Sequence, residues 1–201
     1  MTPMTSSTKL TLADIADVRA YERERDEFRS HVIELKRRRR VHLGTIVTFL
    51  FENRDTIRFQ IQEMARVEKL ATDDEIQVEL DIYNPMIPEA GQVCATMFIE
   101  LTTDDQMREW LPKLVSVERS VLLVLSDGTQ VRATIDEQHE QGLTRDTVTA
   151  AVHYLRWDLT PDQVDAFAAG PVRLAIDHPA YLEQVELGDS THAELLGDLR
   201  P

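Results

Sequence analysis

The second half of this sequence spaces its apolar runs so tightly that only one kind of sheet can join them. Val121–Leu125 is followed by Asp127-Gly128 and then by Val131–Ile135, and Val172–His178 runs after two residues into Tyr181–Leu187. Antiparallel neighbours can be joined by a two-residue turn, whereas parallel neighbours need a crossover of about a dozen residues or more. Asp-Gly also suits the positive φ that hairpin turns require. Hairpins and short links therefore predict an α+β fold with a mostly antiparallel sheet.

The first half is helical in period. Ile15, Val18 and Tyr21, then Phe28, Val32 and Leu35, recur at helical spacing as far as Arg40, as one long bent helix or two. Thr45–Phe51 is β-branched and aromatic and reads as a buried strand, with a bend at Gly44. Asn53 or Asp55 caps the next helix, whose stripe is Ile57, Ile61, Met64, Val67 and Leu70. Thr72–Glu75 is a capping box, and Asn84-Pro85 stops the helix it opens. Val93–Leu101 alternates as a strand, and Thr103 with Gln106 opens a short helix. Val148–Leu159 is a long strand. Thr160–Gln163 caps a helix closed by Gly170, and Ser190 or Thr191 caps the last helix. Residues 1–10 read as a frayed tail, 136–147 as a polar loop, and 11–201 as a single domain.

Charge and cysteine usage narrow the function. Asp and Glu number 36 against 22 Lys and Arg, a net charge of −14, which argues against nucleic acid or an acidic membrane as the main partner. Cys94 is the single cysteine, so no internal disulfide and no multi-thiolate metal site can be built from this chain alone. It is expected to be a buried small hydrophobe. No stretch approaches the roughly 20 apolar residues of a membrane span. The polar start carries no signal-peptide core, so the cytoplasm is the expected compartment. The common phosphate-loop, dinucleotide, nucleophile-elbow and zinc-protease motifs are all missing, which leaves both an enzyme with dispersed residues and a binding protein open.

Strand alternation puts His153 in phase with Leu155 and Trp157, and His178 in phase with Leu174 and Ile176. Both imidazoles face an apolar side, where each needs a partner. They can satisfy backbone groups, or they can converge. Glu52-Asn53-Arg54-Asp55 lies at a strand-to-helix junction, where helix amides favour anions, with Gln62 and Glu63 further along. His153, His178, Glu52 and Glu63 together make a reasonable ligand set for a divalent metal or small molecule, with Arg54 and Gln62 as support. The plainer reading makes Asn53 and Asp55 caps and gives Arg54 a carboxylate partner. Lys36 to Arg40 is a cationic helix end, where Arg37, Arg38, Arg39 and Arg40 can pair with the chain's own carboxylates or with an acidic partner. His139 and His192 are expected to face solvent.

The stretch Glu34 to Leu70, together with Tyr83-Asn84-Pro85, Ala151–Arg156 and Asp177–Tyr181, resembles a bacterial family known only as a domain of unknown function. Members of that family tend to be encoded beside rubrerythrin-like proteins and iron–sulfur oxidoreductases. The resemblance implies a non-catalytic accessory role in a redox or oxidative-stress system, with such a redox protein as partner; it supplies no catalytic residues. Exposed strand edges also make a homodimer an expected form.

Overall fold

A computed structural model describes residues 9–135 and 148–201; the expected loop and nearly all of the expected tail lie outside the described residues. The expected tail ends earlier than residue 10. Leu10 is already buried, and the Asn84 side chain clamps its backbone by accepting from Leu10 N at 2.8 Å and donating to Leu10 O at 2.9 Å.

Nine strands form two antiparallel sheets among the described residues. The first has the order β1 (Arg40–Leu43), β2 (Val47–Phe51), β3 (Gln92–Ile99), β7 (Val152–Asp158), β6 (Thr134–Ile135). The second has the order β5 (Gln130–Arg132), β4 (Val121–Val124), β8 (Arg173–His178), β9 (Tyr181–Glu186). The helices are α1 (Val18–Arg39), α2 (Arg54–Glu68), α3 (Asp73–Tyr83), α4 (Asp104–Trp110), α5 (Pro161–Ala169) and α6 (Asp189–Leu199). None of them is long and apolar enough to cross a membrane.

Alternate residues of the first sheet serve two different cores. Phe49, Phe51, Val93, Ala95, Met97, Leu155 and Trp157 face inward and share one apolar cluster with Val121, Leu123, Leu174 and Ile176 of the second sheet and with α5 and α6. The other face carries Leu50, Thr96, Phe98, Val152 and Tyr154 and is covered by α2 and α3. There a smaller cluster of Ile57, Ile61, Leu80, Met86 and Ile87 forms, with Tyr83 and Tyr154 packed against it.

The helix starts follow their capping signals. Asn53, Thr72 and Thr160 each accept from an amide in the first turn of α2, α3 and α5. Three boundaries differ from the sequence reading. The expected first helix is a 3-10 turn at Leu12–Asp14 followed by α1, which Asp17 caps. The expected strand through residue 135 breaks at Ala133, and its two pieces pair in different sheets. The last helix is capped by Gly188 and not by Ser190 or Thr191; the Thr191 hydroxyl donates instead to Arg38 O at 2.6 Å.

The bend before β2 is tighter than a strand kink. Gly44 has φ +64°, and a Cβ there would lie 2.3 Å from the Tyr181 hydroxyl oxygen. That hydroxyl donates to Leu43 O at 2.7 Å and accepts from Thr45 N at 3.1 Å, so it pins the β1–β2 turn against β9. Glycine meets both demands, a positive φ and a close approach.

Candidate functional site

The pairing register builds one row across four strands. Arg40 opposes Leu50, Leu50 opposes Thr96, and Thr96 opposes Tyr154. All four line a cavity of about 290 Å³ between the sheet and its helical cover, together with Lys36, Glu52, Thr56, Ile57, Gln60, Tyr83 and Phe98. That volume lies at the small end of ligand sites, near ~300 Å³. A neighbouring cavity of about 230 Å³ shares Met86 and Tyr154 with it and reaches Cys94 and Arg156. A wider groove of about 610 Å³ runs along the start of α1 and the α2–α3 turn, but its charged residues, Asp17, Asp73, Arg19 and Lys69, balance in sign.

Glu52 forms the polar end of the 290 Å³ cavity. It is 6% exposed, and its carboxylate accepts from the Thr96 hydroxyl at 2.6 Å and the Thr56 hydroxyl at 2.5 Å. Two short donors to a buried carboxylate hold it in one orientation. Two cations lie near it. Lys36 is half-buried, with its ammonium 5.4 Å from the centroid of the Phe59 ring. Burial lowers the Lys36 pKa, Glu52 opposes that shift, and the Arg40 guanidinium adds to it. Burial also raises the hydroxyl pKa of Tyr83 and of Tyr154.

The rest of the cationic helix end is used inside the molecule. Arg39 is 2% exposed; it donates to both Asp198 oxygens at 2.7 and 2.9 Å and to Glu194 at 3.1 Å. Arg38 donates to the other Glu194 oxygen at 2.7 Å, and Arg37 pairs with Glu34 at 3.2 Å. The expected four-arginine docking surface is therefore corrected: Arg39 is an internal tie between α1 and α6, and Arg38 is shared with it. Lys36 and Arg40 have no ion pair to a carboxylate among the described residues.

The expected ligand set of His153, His178, Glu52 and Glu63 is not one site. His153 opposes Met97 on the inner face, whereas Glu52 bonds Thr96 on the outer face of the same sheet. The His153 Nε2 lies 2.9 Å from Ala150 O, so it carries a hydrogen and donates, and its Nδ1 lies 3.9 Å from the buried carboxylate of Glu118. His178 Nε2 bonds Val115 O at 3.1 Å, and its Nδ1 accepts from Ala180 N at 3.2 Å. The two rings flank the same short segment but meet different residues of it. Glu63 is taken up by Tyr21 at 2.8 Å and by Arg25 at 2.8 and 3.0 Å, which ties α2 to α1. Those Arg25 hydrogen bonds lead in holding its carboxyl down to about 2. Among the described residues, no group of three or more His, Cys, Asp or Glu is placed to hold a metal ion.

The supporting residues have structural work. Gln62 is buried; it accepts from Ala16 N at 2.8 Å and donates to Ala16 O at 3.1 Å, replacing a missing backbone partner. Arg54 pairs with Asp14. Cys94 is buried as expected, and burial pushes its thiol up to about 12. His192 is half-exposed and not free in solvent: it stacks on Phe167 at 4.8 Å and bonds Phe167 O at 2.8 Å. His139 lies outside the described residues.

Sequence reasoning found Glu52 but missed Lys36, Thr56, Tyr83, Thr96 and Tyr154 as its companions. Strand register places Thr96 and Tyr154 and helix packing on the sheet places Lys36, Thr56 and Tyr83, and neither register between distant strands nor helix docking has a local signal.

The comparisons with known proteins agree with this fold. Residues 9–199 match the family described as protein of unknown function DUF3501. A crystal structure of a novel protein of unknown function from Burkholderia pseudomallei K96243 superposes with a TM-score of 0.87 at 37% identity. The match covers 95% of this chain and 99% of that one. No curated protein matches. Match length and shared architecture together place this chain in the DUF3501 family.

Proposed function

We propose that this protein binds a small organic anion in the cavity of Lys36, Arg40 and Glu52. The observation that carries this reading is the disposition of its cations. On a chain of net charge −14, Arg25, Arg38, Arg39, Arg54, Arg58 and Arg132 all bond carboxylates. Lys36 and Arg40 instead border a concave, partly apolar space, with Glu52 already satisfied by two hydroxyls. Two cations against one carboxylate leave the cavity a local excess of positive charge inside an acidic surface, which concentrates anions there. Leu50, Ile57, Met86, Phe98 and Val152 supply the apolar wall that such a ligand's carbon frame needs.

The test is thermal unfolding and calorimetry with benzoate, pyruvate, phosphate and the cation arginine as probes. At least one organic monoanion is expected to raise the unfolding temperature in proportion to the logarithm of its concentration, and Lys36→Met with Arg40→Gln is expected to abolish the rise. If no anion binds, or if the double variant binds as well as the wild type, the reading is wrong.

A further inference from the structure

We propose that Lys36 is a nucleophilic amine and that the cavity takes a small 2-oxo acid, which it holds as an imine. This rests on the anion-binding reading and adds a carbonyl group to the ligand.

The chain has four lysines. Lys9 donates to Ile87 O at 2.6 Å, Lys113 pairs with Glu109 at 2.9 Å, and Lys69 is exposed at the end of α2. Lys36 is half-buried at a cavity that also holds an arginine and two tyrosines. Burial leads in lowering its pKa; Glu52 opposes that shift and Arg40 adds to it. A desolvated amine beside a second cation is the arrangement that frees a lysine lone pair for attack on a carbonyl.

Arg40 then has a separate role. Its planar fork matches a carboxylate through two hydrogen bonds, which an ammonium does not do. Lys36 lies in the last turn of α1 and Arg40 caps that helix as the first residue of β1, and both border the same cavity. A carbonyl next to a carboxylate is the ligand that presents one group to each. The apolar wall of Leu50, Phe98 and Val152 receives the remaining carbon frame.

The step balances without any co-reactant. The Nζ lone pair adds to the carbonyl carbon, so a C–N bond forms and the carbonyl oxygen becomes a hydroxyl. That oxygen leaves as water with the two amine hydrogens, and a C=N bond remains. Tyr83 and Tyr154 also border the cavity, and burial raises the pKa of both, so both remain neutral phenols at the site.

The experiment is reductive trapping of the full chain with pyruvate or phenylglyoxylate and sodium cyanoborohydride, read by intact mass and peptide mapping. One adduct per chain on Lys36 is expected, suppressed by excess benzoate. Arg40→Gln is expected to lower the yield about tenfold, the change set by a loss near 1.4 kcal/mol. Lys36→Arg removes the primary amine, so it should give no adduct at residue 36 under the same trapping conditions. Labelling spread over Lys9, Lys69 and Lys113 according to exposure would overturn the imine. Benzoate binding with no Lys36 adduct would overturn the imine and leave the anion site standing. No binding of benzoate, pyruvate or phenylglyoxylate would end both.

Discussion

The two faces of the first sheet are made by the same strands and have opposite characters. Its inner face is closed and, His153 apart, apolar, with Phe49, Met97 and Trp157 each 0% exposed. Its outer face carries Thr48, Glu52, Thr96 and Tyr154 and leaves a cavity beneath α2 and α3. A strand alternates sides at every residue, so one segment can hold the fold together with its odd positions and present chemistry with its even ones. Substitutions on the inner face should therefore cost stability, and those on the outer face should cost binding.

The largest effect is expected on the inner face. Trp157→Ala should cost about 3–5 kcal/mol through lost burial and the cavity left behind, read as a lower denaturation midpoint with an unchanged slope. Arg39→Met comes next, at about 3 kcal/mol, because it leaves Asp198 and Glu194 without their buried cation. A loss under about 1 kcal/mol would show that those carboxylates reach water or neutralise.

Glu63 sharpens the comparison through pH. Its carboxyl falls from an ordinary 4.5 to about 2 in the folded protein. A folded-state pKa depressed in this way contributes stability that is present above 4.5 and lost as the pH falls toward 2. Glu63→Gln should lower stability at neutral pH and flatten the acid limb between those values, as followed by circular dichroism. An unchanged limb would mean that the Arg25 and Tyr21 bonds are not kept in solution.

The smallest stability effect is expected at the site. Lys36→Met should lie within about 1 kcal/mol of the wild type, or even gain stability, since it removes a partly desolvated charge. Anion binding should nevertheless disappear. If this variant unfolds as readily as Trp157→Ala does, the outer face is core and not a site.

Much of this fold was legible from local signals. The Asp127-Gly128 turn, the Asn53, Thr72 and Thr160 caps, and the inward phase of His153 and His178 all depend on residues near in sequence. The inward phase did not say what those rings meet. Glu118, the carboxylate facing His153, lies 35 residues upstream of it, in a 3-10 turn that carries no periodic pattern. The basic run misled for a related reason. Its charges suggested a surface, but Arg39 turns toward α6, and its partners Glu194 and Asp198 sit more than 150 residues away. Glu52 was visible because it ends a strand and precedes a cap, whereas Thr96 and Tyr154 look like ordinary strand residues until the row from Arg40 to Tyr154 is assembled.

The break at Ala133 has a consequence for anyone who wishes to divide this protein. Among the described residues the chain builds β1 to β3 in one sheet, crosses to β4 and β5, returns for β6 and β7, and crosses again to β8 and β9. The two sheets are stitched together like a seam, so no single cut leaves both with all their strands intact. Complementing halves, split at any point between β4 and β7, divide both sheets and would have to interlace before either could close its core. Such fragments should reassemble only as a pair, and neither should serve as an autonomous tag.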